Sequence, residues 1–148
     1  MIKNLIIILV FVGLSNCGYN AIYSKNNQTK INVNQIKLEG EKIINRKIVS
    51  LLGLIEENSS HYNVEIHSKK ILETAAKDKA GNTTIYSLTI VTDFFLLNKN
   101  EIVKKKSFTE SFSFNNRVNN FDLFQYQQNV ENNLTNKIAE QIIIFLNS

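Results

Sequence analysis

The stretch FTESFSF, residues 108–114, decides the fold of this chain. Its three phenylalanines fall on one face of an extended strand, and the hydroxyl groups of Thr109, Ser111 and Ser113 fall on the other. A strand with one apolar face needs to be covered on that face only. The stretch therefore predicts a sheet whose aromatic face is packed against helices.

Two more strands with this alternation precede it. In the nearer one, residues 86–96, the apolar side chains of Tyr86, Leu88, Ile90, Phe94 and Leu96 share a face. The other begins at Tyr62 and continues through Ile71. Residues 77–82 (KDKAGN) and 98–100 (NKN) separate the three strands with residues typical of hairpin turns. The three strands are therefore expected to be antiparallel neighbours.

Helical periodicity lies on both sides of these strands. A first helix is predicted after Glu41, on the spacing of Ile44, Ile48, Leu51, Leu52 and Ile55. A closing helix is predicted from Asp122, which forms a capping-box pattern with Gln125. Its apolar face is formed by Val130, Leu134, Ile138, Ile142 and Phe145.

A short strand precedes the first helix, with apolar residues Ile31, Val33, Ile36 and Leu38 before Gly40. The predicted order is strand, helix, three strands, helix. This order predicts an α+β domain over residues 31–148: a two-layer sandwich in which a mixed four-stranded sheet carries both helices on one face.

Leu14-Ser15-Asn16-Cys17 ends an apolar segment and contains the only cysteine of the chain. A basic residue, Lys3, an apolar core of ten residues and a small residue before the cysteine form the pattern of a bacterial lipoprotein signal. Ten apolar residues are too few to span a bilayer, which requires about twenty. We therefore expect residues 1–16 to be cleaved and Cys17 to become the lipidated N-terminus.

Two other interpretations of Cys17 remain open at this stage: a buried free cysteine in a cytosolic protein, and an uncleaved membrane anchor. Under the lipoprotein interpretation, residues 17–30 are the lipidated N-terminus and a polar tether. Cleavage leaves 132 residues, enough for one domain, and a net charge of +3. This small charge is spread along the chain and does not favour a nucleic-acid partner.

No pattern of residues points to catalysis or to a cofactor. The two histidines, His61 and His67, lie in one predicted strand, and Cys17 is not free to complete a metal site with them. No serine lies in a nucleophile-elbow motif. The sequence predicts a protein that is not an enzyme and that holds neither a metal nor a cofactor.

Lysines form the densest charged clusters, at residues 104–106 and at Lys69-Lys70. Alternation along a strand places Lys104 and Lys106 on one face and Lys105 on the other. These lysines could bind anionic groups of a lipid, or they could protect a strand edge from aggregation.

The segment Cys17-Gly18-Tyr19-Asn20-Ala21-Ile22-Tyr23 resembles the start of the lipopolysaccharide-assembly outer-membrane lipoproteins, the LptE family, and in particular its alphaproteobacterial branch. The strand, helix, three strands, helix order and the polar tether are also similar. The resemblance implies a non-enzymatic, lipid-anchored subunit on the periplasmic side of the outer membrane. It also implies a β-barrel partner of the LptD family, which the subunit plugs and helps to assemble.

The resemblance further implies contact with lipopolysaccharide, for which Lys104, Lys105, Lys106, Lys69 and Lys70 are the candidate residues. The alternative is a periplasmic lipoprotein that binds a small ligand or serves as an envelope structural component without a barrel partner. A hydrolase with a dispersed site is a third interpretation, but no motif supports it.

Overall fold

The structure, a computed structural model, describes residues 30–148. The predicted signal peptide, residues 1–16, lies outside the described residues, as do Cys17 and the tether as far as residue 29. The predicted domain, residues 31–148, lies within them.

Six strands and two helices follow one another along the described chain. Strands β1 (Ile31–Val33) and β2 (Gln35–Gly40) precede helix α1 (Lys42–Leu52), and β3 (Leu54–Glu56) follows it. Three long strands come next, and a long helix ends the chain: β4 (Tyr62–Lys77), β5 (Thr83–Asn98), β6 (Glu101–Asn115) and α2 (Asn120–Asn147).

The main sheet has four strands in the order β2-β4-β5-β6. β2 runs parallel to β4, and the other two pairs are antiparallel. Both hairpins form at the predicted turns, and the positive φ angles of Lys99 and Asn100 match a tight two-residue turn between β5 and β6. The predicted α+β architecture, with a mixed four-stranded sheet, is confirmed.

The core lies between one face of this sheet and both helices, and we call this face the inner face. Phe94 at the centre of β5 is fully buried, as are Ile66 of β4, Ile48 of α1 and Ile138 of α2. In the same layer the hydroxyl groups of Ser68 and Thr92 lie 2.9 Å apart and form a hydrogen bond. The apolar faces read from the sequence of β5 and α2 are therefore the ones that are buried.

Helix α1 ends three residues before the predicted Ile55. Gly53 adopts a left-handed conformation (φ 64°), and its N–H donates hydrogen bonds to the carbonyl oxygens of Val49 and Ser50. This turn ends the helix and releases Leu54–Glu56 as β3, which pairs in parallel with β1 in a separate two-stranded sheet. The prediction that the helix extends to Ile55 was wrong because the left-handed glycine stops it.

The first predicted strand is two strands. β1 belongs to the small sheet and β2 to the main sheet, and the chain bends between them at Asn34. The Asn34 N–H donates to the carbonyl oxygen of Tyr62 at 2.7 Å, which places the bend beside the start of β4. The alternation of apolar residues changes phase here, since Val33 and Ile36 are three residues apart, and the prediction of a single strand overlooked that break.

Two details near the start of α2 also correct the sequence predictions. Asn119, rather than Asp122, caps the helix, because its side-chain oxygen accepts a hydrogen bond from the Phe121 N–H at 2.9 Å. Phe112 shares the inner face with the buried Phe108 and Phe114, yet it is 45% exposed. Phe112 lies on an edge strand, where the helix layer covers it incompletely.

Candidate docking surfaces

The outer face of the main sheet carries neither helix, because α1 and α2 both pack on the inner face. Its half nearest the β4–β5 hairpin is rich in hydroxyl groups. The Thr89 and Ser111 hydroxyls lie 2.9 Å apart, and Ser87 lies 3.4 Å from Ser111. Thr109 is paired with Val91 beside them. These hydroxyl groups therefore lie on a face of the sheet that neither helix covers.

The other half of the outer face carries a network of charges. The Lys37 ammonium lies 3.0 Å from Glu39 Oε1 and 3.8 Å from Glu65 Oε1. His67 Nε2 lies 3.7 Å from Glu39 Oε2 and 3.6 Å from Glu65 Oε2. The His67 ring packs on Phe95 with centroids 5.2 Å apart. The network joins the short edge strand β2 to β4.

Lys37 and Glu39 shift one another's titration. The hydrogen bond from Lys37 lowers the pKa of the Glu39 carboxyl group below its ordinary value, and the charges of His67 and Lys37 act in the same direction. The same hydrogen bond raises the pKa of Lys37. Because the Glu39 pKa is lowered by folding, any stability it contributes is present at neutral pH and is lost as the pH falls through that pKa.

Replacing Lys37 should raise the pKa of Glu39. In Lys37→Met the carboxylate loses its hydrogen-bond donor, so the pKa should move up towards the ordinary value of a glutamate, as measured by a carboxyl-carbon NMR titration. Lys69→Met is the control, because Lys69 lies on the same face of the sheet, in the neighbouring strand β4, and forms no ion pair with Glu39. A Glu39 pKa that is unchanged in Lys37→Met would show that the pair does not form in solution.

The five candidate lysines are divided between the two faces of the sheet. Lys104 donates to the carbonyl oxygens of Phe145 and Leu146, each at 3.2 Å, and so caps the C-terminal end of α2. Lys106 lies over the rings of Phe108 and Phe145, 5.3 and 5.5 Å from their centroids. Both lysines are therefore held by the helix layer.

Lys70 also points to the inner face, where its ammonium lies 3.0 Å from Glu131 Oε2. Lys69 and Lys105 are on the outer face, and Lys105 lies 5.1 Å from the centroid of the Phe95 ring. The expected alternation of residues 104–106 is confirmed. Of the five candidates, only Lys69 and Lys105 lie on the open outer face of the sheet.

Two open depressions lie at the sheet edges. One, of about 350 Å³, is beside the end of β6 and is lined by Phe112, Ser113, Phe114, Asn115, Arg117 and Tyr126. The other, of about 390 Å³, lies between β2 and α1 and is lined by Ile36, Leu38, Arg46, Val49, Leu54 and Glu56. Neither was anticipated from the sequence, since each joins residues from elements that only the tertiary fold brings together.

The two histidines do not lie in one strand, contrary to the sequence prediction. His61 precedes β4 and His67 lies within it, and no group of three potential metal ligands occurs among residues 30–148. α2 has 28 residues, but neither it nor α1 combines the length and the hydropathy needed to cross a membrane.

Comparisons with known proteins place the fold among solved lipoprotein structures. No family model matches the sequence, and no curated protein matches it. The fold is similar to that of rare lipoprotein B from Shewanella oneidensis, with a TM-score of 0.58, 10% identity, and coverage of 76% of this chain and 93% of the other.

Two further structures have the same fold. The uncharacterized lipoprotein B of Nitrosomonas europaea matches with a TM-score of 0.55 and 10% identity over 83% of this chain and 88% of the other. A minor lipoprotein from Acinetobacter baumannii matches with a TM-score of 0.53 and 13% identity over 74% and 87%. At these identities the comparisons establish a shared fold.

Proposed function

We propose that this chain is an outer-membrane lipoprotein, anchored through Cys17 on the periplasmic side, that docks to an LptD-type β-barrel of the lipopolysaccharide export machinery. In this role it plugs the barrel, assists its assembly and contacts lipopolysaccharide during its insertion at the cell surface. It acts by binding and performs no chemical step.

Two independent features, one of the sequence and one of the fold, together support the proposal. The sequence has a lipoprotein processing pattern that ends at Cys17, and the domain that follows has the fold of rare lipoprotein B over 93% of that chain. The processing pattern predicts export and lipidation, whereas the structural similarity describes the folded domain, so neither feature depends on the other. An exported, acylated domain with this fold is what the resemblance to the LptE family implies.

The open hydroxyl-rich half of the outer face supports docking inside a barrel. The interior of an outer-membrane barrel is polar and wet. Thr89, Ser111 and their neighbours could exchange water hydrogen bonds for hydrogen bonds with such a wall at little net cost. The inner face, in contrast, is already covered by the two helices.

Lys69 and Lys105 are the candidates for contact with anionic groups of lipopolysaccharide, because they lie on the open face. Lys70, Lys104 and Lys106 already interact with Glu131 and the C-terminal end of α2. Contacts between lipid and these three would compete with interactions that stabilise the domain. We therefore assign lipid contact first to the outer face.

The proposal is tested by affinity purification of the full chain, carrying a C-terminal tag, from membranes of its own organism in mild detergent. A large outer-membrane barrel should be recovered in near-equal amount. A double variant, Thr89→Arg with Ser111→Arg, should reduce its recovery at least tenfold, because two charged side chains then occupy the hydroxyl-rich surface.

Glu140→Arg, at an exposed position of α2, is the matched control and should retain the barrel. Recovery of the acylated chain without any barrel would contradict the proposal. It would favour the alternative of a periplasmic lipoprotein that acts without a barrel partner.

A further inference from the structure

The last strand, β6, leaves one side of its backbone open. The Asn116 N–H donates to the Thr84 carbonyl oxygen at 2.8 Å, so the backbone N–H and C=O groups of Asn116 point towards β5. In an antiparallel ladder, successive residues direct their N–H and C=O groups to opposite sides. From Lys105 to Asn115 the odd-numbered residues therefore direct these groups away from the sheet. Within residues 30–148 no strand pairs with that side.

Only the first part of this edge carries the charges that usually prevent strand addition. Lys104, Lys105 and Lys106 occupy that part. The following nine residues, 107–115, contain a single charge, Glu110, and its carboxylate accepts a hydrogen bond from Gln141 Nε2 at 2.6 Å. Residues 107–115 are thus an unprotected edge of high β propensity.

The other long open edge is protected in a different way. Beyond the end of β2, residues 69–77 of β4 also lack a neighbouring strand among the described residues. This segment carries four charged residues, Lys69, Lys70, Glu73 and Lys77, and its register shifts near Ala76. Charges and bulges both discourage pairing. The contrast singles out residues 107–115.

The open depression lined by Phe112, Phe114, Arg117 and Tyr126 adjoins this unprotected edge. Phe112 and Phe114 form its apolar wall, and Tyr126 packs against Phe114 with ring centroids 5.5 Å apart. The Arg117 guanidinium lies 4.3 Å from the centroid of the Tyr126 ring. In the described part of the chain, no carboxylate lies within ion-pair distance of Arg117. The pocket therefore suits an apolar side chain next to an acidic one.

We propose that an extended segment of the barrel partner adds to β6 along residues 107–115 as a fifth strand, with an apolar side chain in the Phe112–Tyr126 pocket and a carboxylate on Arg117. Main-chain hydrogen bonds supply affinity in this mode, and the pocket supplies specificity. The inference rests on the proposed function, since it names a second surface, next to the hydroxyl-rich outer face, through which the same partner is held.

Ser111→Pro is the sharpest test. Residue 111 directs its N–H away from β5, so proline removes no hydrogen bond of the sheet and is tolerated at an edge strand. It does remove a donor that an added strand needs. Ser111→Ala is the comparison variant: it removes the hydroxyl group and keeps the N–H, so it measures the contribution of the hydroxyl group alone.

The measurement is the ratio of barrel to tagged full chain after purification in mild detergent. We expect the ratio to fall at least tenfold in Ser111→Pro and by no more than about threefold in Ser111→Ala, which loses only one hydroxyl group of the docking face. Thermal unfolding of both variants checks that the domain folds. If Ser111→Pro does not fold, Phe112→Arg takes its place, with Val103→Arg as the control at another exposed position of β6.

The outcomes separate the two proposals. Wild-type recovery of the barrel by Ser111→Pro, or by Phe112→Arg, would overturn strand addition and leave the proposed function intact. Absence of the barrel from the wild-type purification would overturn the proposed function and, with it, this inference. A wild-type homodimer that Ser111→Pro dissociates, with the barrel still bound, would assign the edge to a second copy and also overturn the proposal.

Discussion

Gly40→Ala should destabilise the domain on the order of 3 kcal/mol, although the substitution adds only one methyl group. Gly40 ends β2 with a φ of 81°, a conformation that L residues rarely adopt. A Cβ at this position would overlap the carbonyl oxygen of Ser68. That oxygen accepts a hydrogen bond from the Glu41 N–H at 2.9 Å, just before α1 begins. The Ser68 carbonyl group could therefore move away from an added Cβ only by breaking this hydrogen bond at the junction of β2 and α1.

Gly81→Ala is the control for this prediction. Gly81 has a similar φ of 87°, but apart from Gly81 and its two chain neighbours no residue has an atom within 4 Å of the position that a Cβ would occupy. It should cost about 1 kcal/mol, the conformational contribution alone. Chemical denaturation of the purified chain, followed by circular dichroism, gives both values. Equal losses in the two variants would show that the close contact with Ser68 is not a constraint on the fold.

Cys17→Ala should abolish acylation completely. The thiol group is the acceptor of the lipid under the proposed function, and no other cysteine is present to replace it. Each methylene group buried in the bilayer contributes roughly 0.8 kcal/mol, so the acyl chains, rather than the small net charge of +3 on the mature chain, should hold the protein at the membrane. The measurement is incorporation of labelled palmitate, together with the size of the chain on a gel.

The variant should remain an unlabelled precursor that keeps residues 1–16. Ser15→Ala retains a small residue before the cysteine and should be processed and labelled like the wild-type chain. Label incorporated into Cys17→Ala would contradict the lipoprotein interpretation, because it would place the lipid elsewhere.

Periodicity was sufficient to predict the large elements. The alternation in β5 and β6 and the spacing along α2 report which face is buried, and tertiary packing agrees with them. Periodicity failed where the chain changes direction within a few residues. Leu54–Glu56 fits the helical spacing of α1, but Gly53 and pairing with Ile31–Val33 turn it into a strand. Parallel pairing between distant short segments leaves no local pattern.

The candidate surfaces were less predictable than the fold. Strand alternation correctly separated Lys105 from Lys104 and Lys106. The sequence did not show that the last turn of α2 would lie next to Lys104, because where a helix crosses a sheet depends on packing rather than on local residues. The pocket at Arg117 was missed for the same reason. The sequence shows that residue 117 is an arginine, but it does not show that this residue lies beside Phe112 and Tyr126.

The most direct test of the central claim is the intact mass of the native protein extracted from its own cell membranes. The account predicts a chain that begins at Cys17, without residues 1–16, and that carries fatty acyl groups on this residue. A mass that corresponds to the full 148 residues with Met1 in place and an unmodified Cys17 thiol would contradict it.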